Sequence, residues 1–329
     1  MGCTDFTLLS LVRRDIENIE SIVLYRAVGG IGDAVMIVPA ITALRKEYGK
    51  DAKIVIVTIP YCAPIFFNNP DIDYVVNAEQ FTGVDACRDY FEKLGSLFIT
   101  LSNPCPSSIY EASNEPNIYR SRQELFCEAC GVQYKIENNR LFVTDHDNMV
   151  ARKAIPFDQY VVVHCSSNSK FRDLPHYHTD YLIKLLSERL EPSNMGVVLI
   201  SHGWKYKHHK RKNIIRVLQP PLSHTIAVIN NSMGLIGSDS MGIHVAGALG
   251  LPSYGIFGMT NPEMRMAYPK ADWYRRYNRC HRQYCWYHPC VFRFCLKAIN
   301  MKHVADDFLD FIFDLGGKYD EKIRVKRTI

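Results

Sequence analysis

No stretch of the 329-residue chain approaches the roughly 18 uninterrupted apolar residues that a membrane-spanning helix needs, and its longest apolar runs are strand-length. A span across a bilayer is therefore not expected. The opening MGCTDFTLLSLVRRDIENIE lacks the basic start, apolar run and small-residue cleavage site of a secretory signal, and Phe6 stands where an N-myristoylation signal places Ser or Thr. These absences point to a cytoplasmic protein. There is no internal repeat of solenoid length and no low-complexity tract. Nor is there a disulfide pattern: the cysteines number 11, an odd count, and seven are scattered through segments that read as strands and helices. Most are expected to be reduced and packed as small apolar side chains.

What is present is material for two cores. The length suits two domains of roughly 150 residues each, and the 47% hydrophobic and 22% charged fractions are those of soluble globular chains. Net charge is a modest +5, but the basic residues crowd into 205–212 and 270–302, which suits an anionic ligand such as a diphosphate, or an anionic membrane surface.

Short Val, Ile, Leu and aromatic runs alternate with longer helical patterns, which predicts parallel sheets covered by helices. The first half offers SIVLYRA (21–27), KIVIVTI (53–59), DYVVN (73–77) and SLFITL (96–101). The second offers YVVVHC (160–165), GVVLIS (196–201), MGLIGS (233–238) and SYGIFG (253–258). Their unbroken apolar character predicts burial on both faces. Between the first two, Val35, Val38, Ile41, Leu44 and Tyr48 recur at helical steps on one face, with Pro39 inside the pattern. The polar stretch 145–157 separates the two sets of strands. The expected division is a first lobe at 1–152, a second at 153–300 that includes the cysteine-rich 280–295, and a C-terminal helix and tail at 301–329.

The first strand runs into VGGIGDAV, where Gly29, Gly30 and Gly32 precede Asp33 and a helix. Glycines at a strand-to-helix turn allow close backbone approach, and the helix start offers free N–H groups. The spacing is not the dinucleotide-binding G-x-G-x-x-G, and no acidic residue ends the next strand. Asp33 reads either as a helix cap or as a carboxylate at the ligand-binding end of a parallel sheet.

Wider context favours the second reading. RAVGGIGDAVMIVPAITALRKEYGKDAKIVIVT resembles the opening of the bacterial heptosyltransferases, G-x-[IL]-G-D followed by P-A-[IL]-x-x-[LR], at every marked position. MGLIGSDSMGIHVAGALGLPSYGIFGMTNP is similar to that family's D-[ST]-G-x-x-H helix, G-x-P strand and [FY]-G-x-T-x-P loop, with Met241 standing where the family has glycine and Gly242 following. VVVHCSSNSKFRDLP resembles its strand, small-residue loop and K-x-W-P, with the register slipped so that either Lys170 or Arg172 supplies the phosphate-binding cation.

The resemblance implies an α/β fold of two Rossmann-like lobes facing across a cleft, the GT-B arrangement. It implies sugar transfer, with inversion and without a catalytic metal, from an ADP-heptose-like nucleotide sugar to a saccharide, lipid-linked or protein acceptor at the inner membrane face. Asp33 takes the place of the general base. Lys170 or Arg172, Ser238, Asp239, Ser240, Met241, Gly242, His244, Gly258 and Thr260 fall on the donor side, and Gly29, Gly30 and Gly32 on the acceptor side. Read without the family, Asp239 or Ser240 is a helix cap, His244 a satisfied core histidine and Lys170 a solvated loop residue.

The segment RYNRCHRQYCWYHPCVFRFCLKAI spaces Cys280, Cys285, Cys290 and Cys295 five residues apart. Steps of five rotate around a helix, so only a loop can gather all four. The segment reads either as a structural zinc or iron site or as reduced or paired thiols, because zinc sites usually pair cysteines two to four residues apart. Its arginines and aromatics also suit single-stranded nucleic acid. A nucleic-acid-binding protein and a non-catalytic GT-B-like binding or assembly module are the two rivals to the enzyme.

Overall fold

The computed structural model describes residues 5–17, 19–102, 120–201, 211–218, 220–275 and 293–314. In chain order its strands are β1 (Ser21–Arg26), β2 (Lys53–Thr58), β3 (Tyr74–Asn77), β4 (Leu97–Thr100), β5 (Tyr160–His164), β6 (Gly196–Ser201), β7 (Ile214–Leu218), β8 (Leu235–Ser238), β9 (Ser253–Phe257) and β10 (Ala271–Arg275). The helices are α1 (Leu9–Ile16), α2 (Ile31–Tyr48), α3 (Val84–Glu92), α4 (Arg122–Ala129), α5 (Asp145–Ala154), α6 (His176–Leu190), α7 (Leu222–Asn230), α8 (Met241–Ala248), α9 (Phe294–Lys297) and α10 (Met301–Asp314). The strands form two sheets, ordered β3-β2-β1-β4 and β10-β9-β8-β5-β6-β7, and every neighbouring pair is parallel.

The inner strands β1, β5, β6, β8 and β9 are buried along their whole length, as their unbroken apolar runs require. The second sheet has six strands where the sequence reading expects four. The additional two, β7 and β10, are its edges and carry charged residues, Arg216 in one and Asp272 in the other. An edge strand has one hydrogen-bonding side open to solvent and tolerates charges that an inner strand would not, so it escapes a search for apolar runs.

Helix α2 corrects another expectation. Its repeating apolar residues predict one buried face, yet every residue from 34 to 42 is buried, Pro39 included. The helix is packed against α4 and α8 as well as its own sheet, so no side of it meets water over that stretch. One hydrophobic cluster accordingly runs from Ile22 and Leu24 of β1 through α2 and Phe126 of α4 to Val162 of β5 and Ile243 of α8. The two sheets share this core.

On the outer face of the second sheet, Phe308 and Phe311 of α10 set their rings 5.9 and 6.0 Å from that of Tyr254. The polar stretch at 145–157 is largely helix α5, begun by Thr144, whose hydroxyl accepts from the Asp147 N–H. Its polar residues meet α7: Asn148 accepts from Asn230 and Asn231, and Arg152 donates to Asn231. Among the described residues no helix is long and apolar enough to cross a membrane.

Candidate active site

The turn between β1 and α2 brings Asp33 to the end of the first sheet. Gly29 has φ of +92°, and a Cβ there would stand 2.9 Å from Asp33 Oδ2, so conformation and space both demand glycine. Tyr61, just beyond β2, donates its hydroxyl to the Gly29 carbonyl. Gly30 donates its N–H to Asp33 Oδ2 at 3.1 Å, so the carboxylate does cap the start of α2. It does more than cap. Arg122 Nη1 donates to its Oδ1 at 2.6 Å and Arg26 Nη2 lies 3.7 Å from its Oδ2. Arg26 is itself fixed by a bond to the Leu101 carbonyl and lies over the Phe126 ring.

Burial pushes the Asp33 carboxyl up, but the guanidinium groups of Arg122 and Arg26 and the Gly30 N–H outweigh it and hold its pKa at about 2. The carboxylate is thus ionised throughout the physiological range. Its pairing stabilises the fold above the ordinary value of 3.8, and that contribution is lost as the pH falls through about 2.

The second half contributes the turn from β8 into α8. Asp239 is buried, with Arg265 Nε 3.2 Å from its Oδ2 and Arg172 Nη1 3.5 Å from the same oxygen. Arg172 also donates to the Asp239 carbonyl at 2.9 Å. Burial would raise the Asp239 pKa, but Arg265 and Arg172 hold it well below the usual carboxylate range. His244, one turn into α8, is hydrogen-bonded through Nδ1 to the Tyr268 hydroxyl at 3.0 Å, with Nε2 3.9 Å from Asp239 Oδ1. Burial lowers its pKa despite Asp239, so the imidazole is neutral at neutral pH.

The two turns meet. A Cβ on Gly32 would lie 2.7 Å from His244 Cδ2, so the imidazole of one half rests on the glycine of the other. Gly32→Ala is therefore expected to overpack this contact at a cost of about 1–3 kcal/mol. Thermal unfolding checks it: Tm should fall by roughly 5 °C, whereas Gly30→Ala, where a Cβ meets nothing within 4 Å, serves as the reference. Equal Tm values for the two variants would contradict the contact.

A cleft of about 420 Å³ opens between the turns. Of the residues expected from sequence, Gly29, Gly30, Gly32, Asp33, Arg172, Asp239, Ser240, Met241 and His244 line it. Of the two residues that the slipped register offers, Arg172 lines the cleft, whereas Lys170 is exposed and does not. Ser238, Gly242, Gly258 and Thr260 do not line it either. Ser238 and Thr260 are buried, Gly242 packs on His164, and a Cβ on Gly258 would meet Leu296 and Cys295.

Residues that sequence reasoning missed line the cleft as well: Arg122, Arg265, His164, Ser166, Ser167 and Asn168. Arg122 had a signal. Ser121 and Glu124 form a reciprocal capping box, Glu124 N–H to Ser121 Oγ at 3.1 Å and Ser121 N–H to Glu124 Oε2 at 2.8 Å, and an S-x-x-E pattern marks a helix start. Arg265 had none, because it lies between two methionines in a loop.

Cys280, Cys285 and Cys290, with most of the basic and aromatic segment around them, lie outside the described residues, as does 205–210 of the basic run. Among the described residues no group of three or more His, Cys, Asp or Glu is placed to hold a metal ion. Cys62, Cys87, Cys127, Cys130 and Cys165 are free and buried, and burial raises the pKa of each to about 12, as expected of reduced packing thiols.

Comparison with known proteins adds three solved structures and a family. The model of glycosyltransferase family 9 (heptosyltransferase) matches residues 107–288. No curated protein matches the chain. A family 9 glycosyl transferase from Veillonella parvula DSM 2008 superposes with a TM-score of 0.67 at 13% identity, over 91% of this chain and 99% of that one. The E. coli ADP-heptose lps heptosyltransferase II does so with 0.63 at 13% identity, over 90% of this chain and 100% of that one. The iron-containing dodecameric glycosyltransferase TibC from enterotoxigenic E. coli H10407, seen elsewhere in complex with ADP-D-beta-D-heptose, reaches 0.61 at 12% identity over 92% of this chain and 78% of that one. At such identities the likeness is one of fold, the two-lobed GT-B arrangement.

Proposed function

Because the chain belongs to glycosyltransferase family 9, the heptosyltransferases, we propose that its cleft transfers a sugar, heptose, from an ADP-linked donor to an acceptor hydroxyl. The reaction is a single displacement that inverts the anomeric carbon. The observation that supports this reading is the shared cleft: Asp33 from the first half and the Asp239–Ser240 turn from the second line the same 420 Å³ space. The donor's diphosphate lies at the start of α8, where first-turn N–H groups face an anion, and Arg172 and Arg265 flank it.

Charge explains how a diphosphate is held without a metal. Three guanidinium groups, those of Arg122, Arg172 and Arg265, line the cleft against the two carboxylates of Asp33 and Asp239, and Arg26 stands behind Asp33. That excess favours a diphosphate, and it is fixed in place before the leaving group gains its charge. As the bond from the anomeric carbon to the phosphate oxygen breaks, its electron pair moves onto the diphosphate. The acceptor oxygen forms the new bond and its proton passes to Asp33.

A carboxylate held at about 2 is a weak base. It suffices if the proton moves late, because an alcohol oxygen already bonding to the anomeric carbon is far more acidic than a free alcohol. The acceptor is a saccharide, as the lps heptosyltransferase II of the comparison implies by name, and it enters from the Asp33 side.

The test is calorimetric titration with ADP-, UDP- and GDP-sugars, followed by proton NMR of the product formed on a lipopolysaccharide-core oligosaccharide. Binding of the ADP-sugar and a product of opposite anomeric configuration are expected, in buffer containing a chelator. Binding without turnover on any saccharide would favour the non-catalytic module, and absence of binding would end the reading.

A further inference from the structure

Ser240 stands at the N-cap position of α8 with the extended backbone that a cap adopts, yet its hydroxyl makes no bond to the helix. The hydroxyl is held elsewhere. His164, at the end of β5, places Nδ1 3.0 Å from Ser240 Oγ. Gly242 makes room for this imidazole, since a Cβ there would stand 2.8 Å from Nδ1, and Gly237 clears the His164 backbone carbonyl. The residue is 2% exposed, and what it exposes lines the cleft beside Ser240.

We propose that His164 is a positioning residue that keeps Ser240 from capping its own helix, so that the helix start and the hydroxyl proton both serve the donor's diphosphate. This role rests on the reading of the cleft as a nucleoside diphosphate site. A serine at this position ordinarily turns its oxygen onto the second or third N–H of the helix, here Gly242 or Ile243. In that state it would compete with an anion for the same donors. The role requires the tautomer that carries its proton on Nδ1: His164 then donates to Oγ, the oxygen is engaged from the far side and the O–H is left to donate to a phosphate oxygen. Gly242, the glycine that follows Met241, gives the ring the space this requires.

A double-mutant cycle on the full chain, read by calorimetric titration with ADP, tests the role. His164→Ala should weaken ADP binding about tenfold, the order of a lost cap or a competing hydrogen bond. His164→Asn, whose amide N–H can take the place of Nδ1–H, should stay within about threefold of the wild type. The discriminating variant is the double one: in a Ser240→Ala background there is no hydroxyl to restrain, so His164→Ala should cost little more. An equal tenfold loss in both backgrounds, with folding confirmed by circular dichroism, would overturn the role alone, and so would wild-type affinity in His164→Ala. A wild-type protein that binds neither ADP, UDP nor GDP would overturn the reading of the cleft and this role with it.

Discussion

Asp33→Asn is expected to lower kcat for sugar transfer by about 10³-fold, within the range for loss of a general base, and to leave donor binding intact. The variant is nearly isosteric. Its amide oxygen can still accept from Arg122, which bonds the carboxylate at 2.6 Å, so the turn should keep its shape. What disappears is the proposed proton acceptor and one negative charge. Losing that charge raises the positive excess around the diphosphate, so any change in donor affinity should be toward tighter binding. Steady-state ADP release with saturating acceptor and calorimetric titration with ADP measure the two quantities separately. Turnover above a tenth of the wild-type rate would remove Asp33 from the role.

The largest effect on stability is expected at Arg265. Its Nε contacts the Asp239 carboxylate at 3.2 Å, and both side chains are 3% exposed. Truncation to Ala strands a buried carboxylate whose remaining cation, Arg172, lies 3.5 Å away and 19% exposed. Removing one member of a buried pair costs about 3–5 kcal/mol, which for a chain of this size corresponds to a fall in Tm on the order of 10 °C. Differential scanning calorimetry against Lys170→Ala, an exposed position expected to shift by less than about 0.5 kcal/mol, supplies the comparison. A fall no larger than that of the control would show that Asp239 is satisfied without Arg265.

The framework of both sheets was legible because inner parallel strands write themselves as unbroken apolar runs. The edge strands β7 and β10 were not, since Arg216 and Asp272 break the pattern where solvent permits it. The site divided along a similar line. Asp33, Asp239, Ser240 and His244 sit in motifs fixed by the local turn from strand to helix, and a turn is a matter of adjacent residues. Arg122 and Arg265 reach the same space from 89 residues beyond Asp33 and 26 beyond Asp239; the capping box beside Arg122 marks a helix start but not the cleft that the side chain reaches, and nothing beside Arg265 marks either. His164 was hidden differently: it ends an apolar strand and reads as one more core residue until the coordinates of Ser240 are known. Which of Lys170 and Arg172 reaches the cleft is a matter of loop geometry that spacing does not record, and it is Arg172 that lines it.

The seating of His244 on Gly32 has a bearing on how such proteins can be rebuilt. It is a point of fit between halves separated by more than two hundred residues of chain, with no room for a methyl group. A chimaera that took its first portion from one relative and its second from another would inherit the two sides of this joint from different parents. The joint would be overpacked unless both parents kept a bare backbone on one side and a flat ring on the other. Domain exchange across this joint should therefore carry the glycine turn along with the second portion, treating the two as a single heritable part.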